Sequence, residues 1–137
     1  MTYDFIEHTG DIKFQARSNS LEGLFIQSAT ALNETMFGKI TILEQKKEEI
    51  KINAKDFHEL LHNFLEEFLF LLDAKNFITS KIESIKIDKT NLTLDAILVG
   101  DEANNYKFTN DVKAITYSEM FIKEEKGFFT CQVVLDV

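Results

Sequence analysis

The feature that most constrains the fold is an amphipathic helical pattern that begins after Asp56. Apolar residues recur there at intervals of three and four, as they do on one face of an α-helix. These residues are Phe57, Leu60, Leu61, Phe64, Leu65, Phe68, Leu69 and Leu72. Asp56 is a favourable N-cap, and Glu59 can complete a capping box with it. Because burying about five such side chains contributes ~10 kcal/mol before chain entropy opposes folding, we predict that this helix is the centre of the core.

A second helix is predicted between Ser20 and Gly38. Ser20 offers a hydroxyl cap, and glycine is a common residue just beyond a helix C-terminus. The apolar or small positions between them also recur at three and four residues: Leu21, Leu24, Phe25, Ser28, Ala29, Leu32 and Met36. The pattern therefore predicts two helices, both with a buried face.

Alternation of apolar and polar residues predicts strands in the rest of the chain. The segments with strand character are 12–17, 40–43, 49–53, 82–87, 92–99, 112–122 and 128–137. Lys46 and Lys47 are expected in the turn between the second and third of these segments. The polar stretches 88–91, 100–105 and 124–127 separate the later segments, which are expected to form antiparallel hairpins.

The order of these elements predicts an α+β protein, since a strand, a helix, two strands, a second helix and several strands follow one another. The order divides into two strand-helix-strand-strand-like units, with a mostly antiparallel sheet covered by the two amphipathic helices. The length of 137 residues suits one domain, and no long linker interrupts the sequence. We therefore predict a single domain over residues 1–137.

The charge balance and the absence of long apolar runs narrow the class of protein. Fifteen Lys and Arg residues against 23 Asp and Glu residues give a net charge of −8, the opposite of the basic surface that nucleic-acid-binding domains carry, so no direct binding to nucleic acid is expected. The longest apolar run, 68–72, is too short to span a membrane, and the first residues lack the apolar region of a signal peptide. A single cysteine, Cys131, suits a reducing compartment. We predict a cytoplasmic protein with no membrane association.

The most conspicuous motif is His58-Glu59-Leu60-Leu61-His62, which matches HExxH. In zinc peptidases two imidazoles one helical turn apart bind the metal and the glutamate is the general base, so a small zinc hydrolase is one alternative function. The motif shares the polar side of the helix with Asn63, Glu66 and Glu67, however, which is typical of a solvated stripe. No other predicted helix supplies a third histidine, and Glu83, a downstream candidate, falls in a predicted strand.

A less conspicuous set of acidic residues borders the first and last of the predicted strands. His8-Thr9-Gly10-Asp11 directly precedes the first strand, and the last strand-like run finishes on Asp136 and Val137. If these two strands are neighbours, Asp11, Asp136 and the terminal carboxylate of Val137 can converge as oxygen ligands of Ca²⁺, Mg²⁺ or Mn²⁺. The alternative is that Asp11 caps a turn and that the final Asp-Val is frayed.

Several segments taken together resemble the archease family, in which the first of them typically reads F-E-H-T-A-D. The resemblance is carried by residues 5–11, 21–25 with Ala29, 59–67, 71–73, 112–117 and 135–137. Each segment is short, but their order and spacing cover the whole chain. Gly10 stands where alanine is usual in the family, and Ser118 stands where many members have histidine, so Ser118 is assigned no role.

The resemblance implies an accessory protein of the RtcB-type RNA ligase, which joins 3′-phosphate or 2′,3′-cyclic phosphate ends to 5′-hydroxyl ends in tRNA splicing and RNA repair. Such a protein is not itself an enzyme; it promotes guanylylation of the ligase histidine by GTP and repeated turnover, and it carries a divalent metal. Carried over to this sequence, the metal ligands would be Asp11, Asp136 and Val137. Ca²⁺ is the expected ion, with Mg²⁺ and Mn²⁺ as alternatives. Lys113 and His8 would support the ligands without touching the metal.

On this resemblance the HExxH match is incidental. The acidic surface would then face a ligase whose channel for RNA and GTP is basic, and the opposite charges would raise the rate of encounter. Three functions therefore stay open at this point: a ligase accessory protein, a zinc hydrolase, and an acidic interaction module without chemistry of its own.

Overall fold

The computed structural model describes residues 1–7 and 10–137, and within them it contains two α-helices and seven β-strands. The helices are α1 (Leu21–Phe37) and α2 (Phe57–Lys75). The strands are β1 (Thr2–Ile6), β2 (Ile12–Ser18), β3 (Lys46–Asn53), β4 (Phe77–Asp88), β5 (Thr93–Glu102), β6 (Ala114–Glu125) and β7 (Phe128–Asp136). A single 3₁₀ turn (Ala103–Asn105) follows β5. This arrangement confirms the predicted α+β class.

Helix α2 forms where the apolar periodicity predicts it. The Asp56 carboxylate accepts a hydrogen bond from the Glu59 N–H at 2.8 Å, and the Glu59 carboxylate accepts one from the Lys55 N–H at 3.0 Å. The helix ends at Asn76, which has a left-handed conformation with φ of 53°. The predicted apolar face is buried from Leu60 to Leu69, so α2 fills the centre of the core as expected.

Helix α1 begins and ends at the predicted residues. The Ser20 hydroxyl accepts a hydrogen bond from the Gly23 N–H at 3.0 Å, and Gly38, with φ of 74°, closes the last turn. Gly23 leaves no space for a side chain, because a β-carbon there would collide with the Ser18 hydroxyl. α1 is buried around most of its circumference, since it contacts strands of both sheets.

The strands form two antiparallel sheets. Sheet A has the order β1-β2-β7-β6, and sheet B has the order β3-β5-β4. Each helix contacts strands of both sheets, so that the core forms where the helices and the inner faces of the sheets meet. The predicted hairpins β4–β5 and β6–β7 are confirmed, but the one predicted across residues 100–105 is wrong, because β5 belongs to sheet B and β6 to sheet A.

The prediction for residues 40–53 is partly wrong. Residues 40–43 do not form a strand, and Lys46 and Lys47 lie in β3 instead of a turn. Their position is set by pairing with β5, in which Lys46 lies opposite Gly100. β3 is at the edge of sheet B, where lysine side chains can extend into solvent and discourage pairing with another chain.

No helix within residues 1–7 and 10–137 is both long enough and apolar enough to cross a membrane.

Phe64→Ala is expected to lower the free energy of unfolding by about 3–5 kcal/mol, as is typical when a buried aromatic ring leaves a cavity. The fully buried Phe64 ring lies 5.5 Å from the ring of Phe25 and 5.1 Å from that of Phe68, measured between centroids. Phe70→Ala is the matched control, because Phe70 is on the same helix but 55% exposed. Its effect should stay within about 0.5 kcal/mol. Urea denaturation measures both, and equal losses would contradict the assignment of the buried face.

Candidate functional site

The candidate metal site lies at one end of the paired strands β2 and β7, where Ile12 lies opposite Leu135. Asp11 directly precedes β2, and Asp136 is the last residue of β7. Asp11 and Asp136 therefore both lie one residue beyond the Ile12–Leu135 pair, at the same end of the two strands. The condition that the first predicted strand and the last one are neighbours is therefore met.

The neighbouring strand β6 fixes the other side of Asp136. Ala114 pairs with Asp136, and the backbone N–H of Lys113 donates a hydrogen bond to the Asp136 carbonyl at 2.7 Å. Lys113 lies in the loop before β6 instead of in the strand where it was predicted, and it is exposed. Its supporting role at the site stays a prediction.

The segment before Asp11 includes His8, which lies outside the described residues, so its predicted supporting role has no structural test. Gly10 has φ of 82° and no heavy atom within 4 Å of the position a β-carbon would take. The left-handed conformation, and not lack of space, therefore favours glycine over the alanine usual in the family.

An open cleft of about 500 Å³ adjoins Asp11. Its walls include the carboxylates of Glu7 and Glu34 and the exposed apolar side chain of Phe5. The Tyr3 hydroxyl donates a 2.6 Å hydrogen bond to Glu34. Burial and the adjacent carboxylate raise the pKa of Tyr3 to about 12, so the phenol stays protonated at neutral pH. The surroundings of the strand ends are therefore acidic.

The donor atoms at the strand ends suit a hard divalent cation. Asp11 and Asp136 are both half-buried, and Val137 follows directly. Carboxylate oxygens are the ligands that Ca²⁺, Mg²⁺ and Mn²⁺ prefer. No three His, Cys, Asp or Glu side chains converge on a metal position within residues 1–7 and 10–137; the predicted third donor is the main-chain carboxylate of Val137. The predicted ligand set fits in chemistry and stays a prediction.

A bulge in β6 positions Glu119 to pair with Lys13, which lies on β2 two residues after Asp11. The register of β6 against β7 shifts between Thr116 and Phe121, and Glu119 takes a left-handed conformation with φ of 55°. The Lys13 ammonium lies 3.2 Å from the Glu119 carboxylate, and Gln132 donates a hydrogen bond to the Glu119 carbonyl at 2.8 Å. The 112–122 pattern predicts an uninterrupted strand, so the sequence gives no signal for this ion pair.

The HExxH residues do not form a metal site. His58 is exposed, whereas the His62 Nε2–H donates a 2.8 Å hydrogen bond to the Ile115 carbonyl of β6. Glu66, one helical turn further along, accepts a hydrogen bond from the Ile115 N–H at 3.1 Å. The predicted solvated stripe is therefore wrong at His62 and Glu66, because these side chains dock α2 against the backbone of an edge strand.

A ring stack strengthens this contact between α2 and β6. The His62 ring stacks on Tyr117 with centroids 4.2 Å apart and planes 11° apart. Burial raises the pKa of Tyr117, and the charges of Glu59 and Asp56 raise it further. Glu83 lies in β4, as predicted, and forms an ion pair with Lys47 at 3.1 Å. His62 therefore has a structural role, which argues against the zinc-hydrolase alternative.

These features define a class of acidic two-sheet α+β proteins with a carboxylate pair at the ends of adjacent strands. Residues 3–137 match the model of the archease protein family. The chain is 31% identical to "Protein archease" of Sulfurisphaera tokodaii over 98% of both chains, and 29% identical to "Protein archease-like" of Dictyostelium discoideum over 98% of this chain and 93% of the other. The chain therefore belongs to the archease family, which confirms the resemblance found in the sequence.

Solved structures agree with this assignment. The solution structure of protein 1598 of Methanobacterium thermoautotrophicum superposes with a TM-score of 0.84, at 28% identity and with 98% of each chain covered. The crystal structure of an archease from Thermotoga maritima, described as a possible chaperone, has a TM-score of 0.65 at 20% identity, with 96% of this chain and 94% of that chain covered. At this identity, the similarity to the Thermotoga maritima structure shows a shared fold only.

His62→Ala is expected to lower the free energy of unfolding by about 1–3 kcal/mol, because the Ile115 carbonyl loses its donor in a half-buried position. His58→Ala is the matched control on the same helix, and its effect should stay within about 0.5 kcal/mol since His58 is exposed. Urea denaturation measures both, and equal losses of stability would contradict the docking role of His62. A rise in melting temperature with Zn²⁺ that His58→Ala abolishes would instead restore the zinc-site interpretation.

Proposed function

We propose that this chain is a cytoplasmic accessory protein of an RtcB-type, GTP-dependent RNA ligase in tRNA splicing and RNA repair. In this role it promotes guanylylation of the ligase histidine and repeated turnover, and it does not itself join RNA. The observation that supports the proposal is the β2–β7 pairing, in a chain of the archease family, with Asp11 and Asp136 one residue beyond its Ile12–Leu135 pair.

In the proposed site, Asp11, Asp136 and the terminal carboxylate of Val137 hold one divalent cation. The resemblance favours Ca²⁺, and Mg²⁺ or Mn²⁺ would accept the same oxygen donors. Such a cation supplies positive charge that offsets the carboxylates and can offset phosphate charge nearby. The chain's own part is positioning: the β2–β7 ladder fixes the two aspartates, and the Lys113 N–H holds the Asp136 carbonyl at 2.7 Å. Lys13, 87% buried at its side chain, neutralises Glu119 on the same sheet face, so Glu119 adds no net negative charge there.

Electrostatics supports docking on a basic partner. The chain carries a net charge of −8, and the cleft beside Asp11 adds Glu7 and Glu34 to the acidic surface. A ligase that binds RNA and GTP needs a basic channel, so the two surfaces attract one another. Because salt screens charges separated by more than about 8 Å at physiological ionic strength, stimulation of the ligase should weaken as salt rises.

The central test is ligation under multiple-turnover conditions with the cognate ligase, GTP, metal and RNA ends, with and without this protein. We expect the protein to increase the number of turnovers of the ligase. Asp136→Asn should reduce that stimulation tenfold or more, because mutation of residues that only hydrogen-bond to metal ligands already lowers metal affinity or activity by about 10–100-fold. Asp95→Asn is the matched control, because Asp95 is an exposed aspartate of sheet B. Absence of stimulation by the unmodified protein would refute the accessory role.

A second test addresses the cation alone. Calorimetric titration of the isolated protein with CaCl₂ is expected to show one bound ion per chain, and Asp11→Asn or Asp136→Asn should abolish it because each removes a charged ligand. Titration with MnCl₂ tests the alternative ion. Asp136→Asn should leave the fold intact, because it removes one of several neighbouring like charges. If no ion binds while ligase stimulation persists, the metal site is wrong and the accessory role stands.

A further inference from the structure

The outer face of sheet A carries a second feature, far from the Asp11–Asp136 pair. A groove of about 620 Å³ lies near the turn that joins β6 to β7. Its charged and aromatic walls are Arg17, Lys123, Lys126, Glu125, Phe121 and Phe128. We call these six residues the cationic groove. It lies about 15–20 Å along β2 from Asp11, at ~3.3 Å per strand residue.

The charge of the cationic groove is opposite to that of the whole chain. Three cationic side chains face one carboxylate there, whereas the chain as a whole has a net charge of −8. Among the ion pairs of residues 1–7 and 10–137, none involves Arg17, Lys123 or Lys126. These charges are therefore available to an anionic ligand.

Aromatic rings lie among the cations. The Lys123 ammonium sits 4.6 Å from the centroid of the Phe121 ring, which holds that charge over the groove. Phe128, 45% exposed, presents a ring with no polar group of its own. A flat ligand that carries negative charge can stack on Phe128 while its anionic group contacts Arg17 or Lys123.

The position of the groove on a sheet face narrows the choice of ligand. β2 is paired with β1 and β7, and β7 is paired with β2 and β6, so their backbone groups are already used in the ladders. The groove lies over β7, between Arg17 of β2 and Lys123 of β6, so the free edge of β6 is on its far side and an extended peptide in the groove has no backbone partners. Nucleotides need only charges for the phosphates and rings for the bases, and both are present.

We propose that the cationic groove binds a short segment of single-stranded nucleic acid through its phosphates and stacked bases. The proposal departs from the expectation of no direct nucleic-acid binding, and only for a short segment at this groove, because the net charge of −8 repels a long polyanion. The contact is therefore weak and local. It stands independently of the ligase role, because it uses neither the aspartate pair nor a metal.

The test is a nuclear magnetic resonance titration of ¹⁵N-labelled protein with a single-stranded RNA hexamer at 50 mM salt or below. Shifts are expected at Arg17, Lys123 and Phe128 and their neighbours, with a dissociation constant of about 10⁻⁴ M or weaker. The logarithm of the affinity should fall against the logarithm of salt concentration with a slope near −2, since each neutralised phosphate of a single strand contributes about −0.7.

Three variants sharpen the test. Phe128→Ala should weaken binding about fivefold or more through lost stacking, and Lys123→Gln should weaken binding and make the salt slope less steep. Lys51→Gln is the matched control, because Lys51 is an exposed lysine of sheet B and its loss removes the same charge. Its affinity should be unchanged. The spectrum of each free variant verifies that it remains folded.

Three outcomes would overturn the proposal. One is the absence of shifts in the cationic groove at low salt, and another is equal weakening by Lys51→Gln and Lys123→Gln. The third is a glutamate-rich peptide of the same charge as the RNA that produces the same shifts with the same affinity, since that would identify an acidic protein segment as the ligand.

Discussion

The pairing of β2 with β7 is the interaction on which the rest of this structure depends. It joins two strands that are far apart in the sequence, and its inner face is fully buried where Phe14 lies opposite Val133 and Ala16 lies opposite Cys131. The Cys131 sulfur also lies 3.2 Å from the Ser28 hydroxyl, which ties α1 to the same pair. Burial raises the pKa of the Cys131 thiol to about 11, so it stays neutral and behaves as a small apolar side chain. β1 and β6 then add to the outer sides of this pair.

A second constraint is the way α2 closes the edge of sheet A. β6 is an edge strand, and Glu66 and His62 satisfy both the N–H and the carbonyl of Ile115. Unpaired backbone groups on an edge strand invite pairing with other chains, and a helix that covers them removes this liability. The motif that looks most like a metal site in the sequence thus serves, at one of its two histidines, to hold a helix against a sheet.

Both helices could be predicted from the sequence, because their periodicity and caps depend on neighbouring residues. Strands and bulges that depend on contacts between distant residues could not. β1 is a strand because it pairs with β2; its five residues, Thr2–Ile6, alternate only over Thr2–Phe5, too short a run to predict a strand without that partner. The alternation at residues 40–43 predicted a strand, whereas the ladder with β5 begins at Lys46. Glu119 adopts a left-handed conformation that no local signal for a bulge announces. The placement of Asp11 and Asp136 at the same end of sheet A could be predicted only on the condition that the first and last predicted strands are neighbours.

The distance in sequence between Asp11 and Asp136 has a thermodynamic consequence. The β2–β7 ladder brings the two residues to the same end of sheet A, whereas 124 residues of flexible chain separate them in the unfolded state. Any ion that binds between them therefore binds the native state alone and shifts the folding equilibrium toward it. At a free concentration of one hundred times the dissociation constant, this linkage adds about 2.7 kcal/mol to the free energy of unfolding. The stability of the fold would then depend on the concentration of the ion.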